Sequence, residues 1–341
     1  MEEKLAKVMN SIILENGDQR TQLFNVQAKK INEHSIVLSG ELLDGDTLAQ
    51  AKHLLLNEFP GVNLDTSAVK VLRSGSTVWC ATNFTSMHAE PSWLAEQVTQ
   101  CAYGVRLEVL KNEENWSFVR QDDGYLAWIY RPYCSAVSPE TPTHIVSALV
   151  GGLFEEPSKD SLHLSRLYTG TFAAVESWQG EWARIAPHRE QTPNAMSGGW
   201  MHRERLLAIA DFPVTEEQKR KAILDEAFRL AGVPYLWGGT STNGIDCSGL
   251  AQLCHRMAGI AILRDADMQK NAGRKVEPPF KPGDLVFFGD EGNLDRITHV
   301  GISLGGWEII HSSRSRNGVN TDNIQQVPHL RDTFAGGCTY L

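Results

Sequence analysis

One cysteine lies where a glycine-rich loop is predicted to turn into a helix. The segment GGTSTNGIDCSGLAQLC, residues 238–254, has small turn-forming residues up to Asp246 and helical spacing of apolar residues after Cys247. The first turn of a helix carries unpaired N–H groups and the positive end of the helix dipole, and both favour a thiolate over a thiol. Because the thiolate is the nucleophilic form, Cys247 is a candidate nucleophile. A buried structural thiol is the alternative, and it suits Cys254, inside the predicted helix, better.

Two histidines are candidates to serve this cysteine. A nucleophilic thiol needs a base that takes its proton and a third group that orients the base. His299 lies near the start of the strand-like segment ITHVGISLGG, and His311 lies near the end of the next one, WEIIHSS. The glycine pair at 305–306 predicts a hairpin that places His311 beside His299. The sequence therefore permits a Cys247–His299–His311 arrangement.

The elements around these residues are predicted to be helices followed by strands. Thr215 is a suitable N-cap for a helix that Gly232 ends. The short apolar runs DLVFFG, HVGISLGG and WEIIHSS, each bounded by turn residues, are typical of adjacent antiparallel strands. A cysteine at a helix start can then pack against a sheet that carries both histidines.

An internal repeat precedes this region. Its first copy runs from Glu90 to Trp116 and its second from Glu156 to Trp182, an offset of 66 residues. Each copy begins with Glu-Pro-Ser and keeps one glycine and one tryptophan at the same spacing. Short alternating strands between turn signals predict a small β-barrel for each copy.

Bulk properties exclude several classes of function. The chain has 341 residues, 42% of them hydrophobic, and a net charge of −9, which argues against nucleic acid as a partner. No apolar stretch of about 18 residues is present, so no membrane insertion is expected. The N-terminal segment lacks the apolar core of a signal peptide, and the six cysteines are scattered, so we expect a cytoplasmic protein. The histidines lack acidic or thiol partners at ligand spacing, so neither a metal nor another cofactor is expected.

The motifs of the C-terminal region resemble those of the NlpC-type cysteine peptidases, which cleave peptides of bacterial cell walls. The resemblance covers residues 213–341 and lies in these motifs: YLWGG (235–239), DCSGL (246–250), RDADMQ (264–269), PGDLVFF (282–288), HVGI (299–302) and IIHSS (309–313). It implies a papain-like fold in which Cys247 is the nucleophile, His299 the general base and acid, and His311 the group that orients the base.

The repeat resembles bacterial SH3-like domains. Two such domains before an NlpC-type domain resemble the γ-D-glutamyl-L-diamino-acid endopeptidases, which act on muropeptides with a free N-terminal L-alanine. The resemblance implies that the first SH3-like domain helps to recognise the free amine. The implied substrate contacts are Tyr125 and, less directly, Glu90 in that domain, with Asp246, Ser248 and Asp265 near the nucleophile and Tyr235 and Trp237 along the cleft. Tyr235 is expected near the oxyanion.

We therefore expect an α+β protein with four parts. Residues 1–72 form a small α+β module of unknown role, residues 73–135 and 136–212 form SH3-like barrels, and residues 213–341 form the peptidase domain. The expected substrates are small cell-wall peptides, and the expected state is a monomer. A secreted hydrolase of the polymeric wall, a non-catalytic binding protein and an amidase or acyltransferase are the alternatives.

Overall fold

A computed structural model describes residues 2–15, 18–32, 34–72, 75–190 and 192–341. The chain divides into two compact units. The first comprises Met1–Val78, Glu90–Ser92 and Arg106–Arg131, and the second comprises Trp79–Ala89, Trp93–Val105 and Pro132–Leu341. Residues 73–135, predicted as one SH3-like barrel, therefore contribute to both units.

The described helices and strands are numbered along the chain. The helices are α1 (Glu2–Glu15), α2 (Gly45–Glu58), α3 (Glu216–Arg229), α4 (Cys247–Met257), α5 (Ala266–Ala272) and α6 (Pro328–Asp332). The strands before residue 136 are β1 (Phe24–Asn32), β2 (Ser35–Leu42), β3 (Asn63–Val71), β4 (Ser76–Cys80), β5 (Phe84–His88), β6 (Gln97–Ala102), β7 (Arg106–Glu113), β8 (Trp116–Gln121), β9 (Leu126–Tyr130) and β10 (Cys134–Ser135). Those between residues 144 and 208 are β11 (His144–Val146), β12 (Val150–Phe154), β13 (His163–Tyr168), β14 (Phe172–Ala173), β15 (Val175–Gln179), β16 (Trp182–Ile185), β17 (Gly199–His202) and β18 (Leu206–Ala208). The remaining strands are β19 (Thr240–Ser241), β20 (Gly244–Ile245), β21 (Arg274–Val276), β22 (Leu285–Asp290), β23 (Asn293–Gly305), β24 (Glu308–Ser313), β25 (Gly318–Asn323) and β26 (Phe334–Thr339).

The first unit joins the N-terminal module to the meander β7–β8–β9. In the module, β2 pairs antiparallel with β1 and parallel with β3, and α2 makes the crossover between β2 and β3. Helices α1 and α2 bury their apolar sides with this sheet in one core. Leu43 and Leu72 of the module belong to a second core with Trp116 and Trp128 of the meander. The module is therefore packed against the meander by apolar burial.

The sequence repeat is also a repeat of structure. Strands β5, β6, β7 and β8 begin 66 residues before β12, β13, β14 and β16, respectively. Gly104 and Gly170 occupy the same place in the two copies, with φ of +81° and +82°. This left-handed conformation strains residues that have a Cβ, which explains why both copies keep a glycine there.

The region from α3 to β26 is built on a six-stranded antiparallel sheet, with β19 and β20 forming a separate pair. Its strand order is β21-β26-β22-β23-β24-β25. Helix α4 packs against β23 and β24, and the core between helices and sheet contains the buried side chains of Ile223, Leu250, Val300 and Ile310. The hairpin predicted at residues 305–306 is present, since Gly305 pairs with Glu308. This packing brings the N-terminus of α4 to the sheet that carries His299 and His311.

Candidate active site

Cys247 is the first residue of α4. Asp246 is the N-cap, and its carboxylate accepts a hydrogen bond from the N–H of Gly249 at 2.7 Å. A Cβ on Gly249 would lie only 2.2 Å from the carbonyl oxygen of Gly239. The glycine after Cys247-Ser248 therefore allows the helix start to press against the preceding loop, which fixes where the thiol lies.

Burial governs the ionisation of the Cys247 thiol. Only 8% of the residue is exposed. Burial, with a further contribution from the Asp246 carboxylate, raises the pKa of the thiol to about 12, while the N–H groups of Val300 and Ser248 act in the opposite direction. The unliganded site therefore holds a thiol, and the thiolate has to be produced by a neighbouring base.

His299, His311 and Asp322 form a hydrogen-bonded chain. His299 Nε2 lies 2.7 Å from His311 Nδ1, and His311 Nε2 lies 3.1 Å from a carboxylate oxygen of Asp322. An ionised carboxylate only accepts, so the Nε2 of His311 carries a proton and its Nδ1 accepts one from the Nε2–H of His299. This set of tautomers leaves the lone pair on His299 Nδ1, which makes that atom the basic nitrogen of the chain.

The charges of this chain follow from burial and hydrogen bonding. Burial, together with the neighbouring His311 and His329, lowers the pKa of His299 to about 3, and burial also lowers the pKa of His311. Burial opposes ionisation of Asp322, but hydrogen bonds from Arg316 and His311 hold its pKa below the ordinary value. The resting arrangement is thus two neutral imidazoles oriented by one carboxylate.

A buried arginine organises the residues around Cys247. Arg264, 2% exposed, pairs through Nη1 and Nη2 with both oxygens of Asp246, at 3.1 and 2.6 Å. Nη1 also donates to the hydroxyl of Ser248 at 2.9 Å, and Nε donates to the hydroxyl of Thr99 at 2.9 Å. Asp246 and Ser248, both predicted to contact substrate, therefore make their hydrogen bonds here with protein groups; a role in substrate binding stays a prediction.

Strand β6 of the first repeat copy lies along the loop before α4. Gln97 donates to the carbonyl of Trp237 at 2.9 Å, and the side-chain oxygen of Gln100 accepts from the N–H of Thr240 at 2.8 Å. A Cβ on Gly238 would lie 2.5 Å from the carbonyl oxygen of Gln97. The first glycine of the YLWGG motif therefore permits close approach of β6.

Tyr235 and Trp237 line one side of the site with Arg314. The Arg314 guanidinium lies 5.4 Å from the ring centre of Tyr235 and 5.1 Å from that of Trp237. Burial first, and then the nearby Cys247 and Asp246, raises the pKa of the Tyr235 hydroxyl to about 12. That hydroxyl therefore remains a hydrogen-bond donor at neutral pH, beside the nucleophile.

The other predicted substrate contacts are Asp265, in the second unit, and Tyr125 and Glu90, in the first. Asp265 precedes α5 and lies, partly buried, 3.9 Å from Arg264. Within the first unit, Tyr125 is buried, with 4% of the residue exposed. Glu90 is exposed, and its carbonyl accepts a hydrogen bond from the N–H of Ser92. Their contact with substrate stays a prediction.

The sequence reasoning missed Asp322, Arg314 and the residues of β6. Asp322 has no motif of its own, and only the pairing of β24 with β25 brings it next to His311. Arg264 and Gln269 stand inside the RDADMQ motif, so a signal for them was available, and Gln269 donates to the carbonyl of Ser248 at 3.0 Å. Within the described ranges no cluster of acidic, histidine or cysteine side chains is arranged to hold a metal ion. None of the helices described is long and apolar enough to cross a membrane.

Comparison with known proteins shows which families the segments around this site resemble. The profile of the NlpC/P60 family matches residues 232–335, the part that holds Cys247, His299 and His311. Residues 232–335 therefore form an NlpC/P60 domain, the domain of a family of cysteine peptidases. A second profile, that of the SH3 domain of bacterial dipeptidyl-peptidases, matches residues 87–131, in the first copy of the repeat. The resemblance to an NlpC-type peptidase with an SH3-like domain is confirmed, while a second SH3-like domain over 136–212 stays a prediction.

Some relatives match this chain over most of its length. The dipeptidyl-peptidase 6 of Lysinibacillus sphaericus is 27% identical over 285 residues, which cover 75% of this chain and 95% of that protein. The γ-D-glutamyl-L-lysine dipeptidyl-peptidase of Bacillus subtilis is 27% identical over 70% of this chain and 79% of its own. A crystal structure of an NlpC/P60 family protein from Bacillus cereus superposes with a TM-score of 0.67 at 21% identity, covering 78% of this chain and all of that one. The last comparison supports the fold.

Proposed function

We propose that this protein is a cysteine endopeptidase that hydrolyses the bond between the γ-carboxyl of D-glutamate and a diamino acid in cell-wall peptides with a free N-terminal L-alanine. The observation that carries the proposal is the chain Asp322–His311–His299 on the sheet that faces the start of α4, where Cys247 lies. The similarity to the γ-D-glutamyl-L-lysine dipeptidyl-peptidase of Bacillus subtilis supports the choice of bond.

The reaction begins with proton transfer from Cys247 Sγ to Nδ1 of His299. The sulfur attacks the γ-carbonyl carbon, and the carbonyl oxygen takes up the displaced electron pair. The N–H of Cys247 at the helix start and the hydroxyl of Tyr235 are the donors proposed for that oxyanion. Asp322, through His311, keeps the lone pair of His299 on the side of the thiol and stabilises the imidazolium that forms.

The intermediate then breaks down in two steps. His299 gives its proton to the leaving amine of the diamino acid, the C–N bond breaks, and a thioester with Cys247 remains. A water molecule attacks the thioester while His299 takes its proton, the bond to sulfur breaks, and His299 returns the proton to Cys247 Sγ. The products are the L-alanyl-D-glutamate dipeptide and the diamino acid or the peptide that begins with it.

Cleavage of the soluble peptide tests the proposal. The substrates are L-Ala-γ-D-Glu-L-Lys and the same peptide acetylated at its N-terminus. We expect cleavage of the free peptide and at least about tenfold slower cleavage of the acetylated one, because an enzyme that reads a free ammonium leaves its binding groups unpaired when that charge is removed. Recycling of released wall peptides inside the cell is the role that this preference supports.

Two cysteine variants test whether the hydrolytic activity depends on Cys247. Cys247→Ala removes hydrolysis and leaves the fold intact, whereas Cys254→Ala, on the same helix but in the core, retains activity. Equal cleavage of both peptides by the wild type would favour a hydrolase of the polymeric wall, in which that amine is blocked. Cleavage of neither peptide would favour a binding protein.

A further inference from the structure

Arg314 contacts the rings of Tyr235 and Trp237 and has no anionic partner among the residues described. Arg314 directly follows β24, is exposed, and sits over the rings of Tyr235 and Trp237. Among the residues that the structure describes, no carboxylate lies within ion-pair distance of its guanidinium. Arg316, two residues further on, pairs instead with Asp322. In a chain of net charge −9, an arginine held by aromatic rings and left unpaired is available for a ligand.

Arg314 follows a segment that contacts the residues just before Cys247. The hydroxyl of Ser312 donates to the carbonyl of Ile245 at 2.6 Å, which joins the end of β24 to the segment just before Cys247. Arg314 and Cys247 both act on the hydroxyl of Tyr235: Arg314 lowers its pKa and Cys247 raises it. Tyr235 is therefore close to both Arg314 and the nucleophile.

A carboxylate that contacts Trp237 is already engaged. Glu96 accepts the indole N–H of Trp237 at 2.5 Å and makes no ion pair with Arg314. Contact with two rings holds the guanidinium beside them, and its planar fork of N–H donors suits a carboxylate.

We propose that Arg314 determines specificity by binding a carboxylate of the substrate beside the scissile bond. The inference rests on the proposed function, because a γ-linked glutamate keeps its α-carboxylate free and the diamino acid carries another. An α-linked peptide lacks a free carboxylate at the first of these places. Arg314 would thus help the enzyme to distinguish an isopeptide bond from an ordinary one.

Three substrates and three variants test this inference. The substrates are L-Ala-γ-D-Glu-L-Lys, its carboxamide at the glutamyl α-carboxyl, and its carboxamide at the lysine carboxyl. The variants are Arg314→Gln, Arg314→Lys and, as a control, Arg331→Gln, an exposed arginine of α6 that pairs with Asp332. The measured quantity is kcat/KM, with a thermal melt to verify folding.

We expect the wild type to cleave the free acid at least about tenfold better than one of the two amides, which identifies the carboxylate that is bound. Arg314→Gln should cleave the free acid about tenfold more slowly than the wild type and no longer distinguish it from that amide. Arg314→Lys should be intermediate, since it keeps the charge but loses the planar fork. Arg331→Gln should match the wild type.

Two results would overturn the inference alone: a wild type that cleaves all three peptides equally, or an Arg314→Gln variant that keeps the wild-type discrimination. If the wild type cleaves none of the three, the proposed function itself is wrong and the inference falls with it. Cleavage of the free acid by the wild type therefore distinguishes the two failures.

Discussion

The guanidinium of Arg264 donates hydrogen bonds to both carboxylate oxygens of Asp246, the residue directly before Cys247. Both partners are buried, so neither charge has water to replace the other. Asp246 also caps α4, so the ion pair, the helix start and the position of the nucleophile depend on one another.

Removal of this guanidinium is expected to be costly. Arg264→Met should lower the free energy of unfolding by about 3–5 kcal/mol, because the Asp246 carboxylate stays buried without its partner. Urea denaturation measures the change. Arg264→Lys should lie between the two, since it retains the charge without the bidentate geometry. A loss below about 1 kcal/mol for Arg264→Met would show that the pair is not coupled to the fold in this way.

Asp322 is expected to act as a positioning residue through His311. Asp322→Asn should lower kcat by about 10- to 10³-fold with little change in KM, because an amide does not fix the tautomer of the imidazole. It should also alter the pH profile of kcat, and Asp322→Glu should partly restore the rate. Steady-state kinetics across pH measure both effects.

The matched control for this experiment is Asp290→Asn. Asp290 also pairs with an arginine, Arg296, on the hairpin of β22 and β23. It should leave kcat and its pH profile unchanged. A rise in KM without a fall in kcat for Asp322→Asn would contradict a role through His311 and His299.

The buried imidazole of His255 predicts a specific loss of stability in acid. Its Nδ1 lies 2.8 Å from the carbonyl of Ala251, and burial lowers its pKa from 6.5 to about 4. Below pH 6.5 the unfolded chain takes up a proton that the folded chain does not, so stability is lost as the pH falls from 6.5 to about 4. One proton over this window amounts to about 3 kcal/mol.

Non-titrating variants isolate that contribution. His255→Gln and His255→Asn should each have a flatter dependence of unfolding free energy on pH between 6.5 and 4 than the wild type, whatever their stability at pH 8. Urea denaturation at several pH values gives the slopes. Slopes identical to that of the wild type would mean that His255 is protonated in the folded protein.

The residues that could be predicted from the sequence are those whose neighbours in the chain create their chemistry. Cys247 follows an N-cap and begins a helix, and His299 and His311 flank a glycine hairpin. Local pattern sufficed for these three because strand alternation and helix capping act over a few residues.

The partners of these residues depend on long-range pairing that no local pattern encodes. Asp322 reaches His311 only through the register of β24 and β25, and Thr99 reaches Arg264 across 165 residues of sequence. The proposed roles of Asp246 and Ser248 show the same limit, since the motifs name these residues and Arg264 separately but not the hydrogen bonds between them.

The contacts of β6 bear on how such enzymes can be assembled by recombination. Gln97, Thr99 and Gln100 satisfy polar groups of Trp237, Arg264 and Thr240, respectively. A gene fusion that joined the peptidase region, from residue 213 onward, to a foreign N-terminal partner would leave those groups without them. The hydrogen bonds of β6 join it to the peptidase region, although in the sequence it belongs to the preceding repeat. The peptidase region therefore cannot simply be joined to another N-terminal domain. A domain that replaced the first repeat would need a strand whose side chains make the same hydrogen bonds.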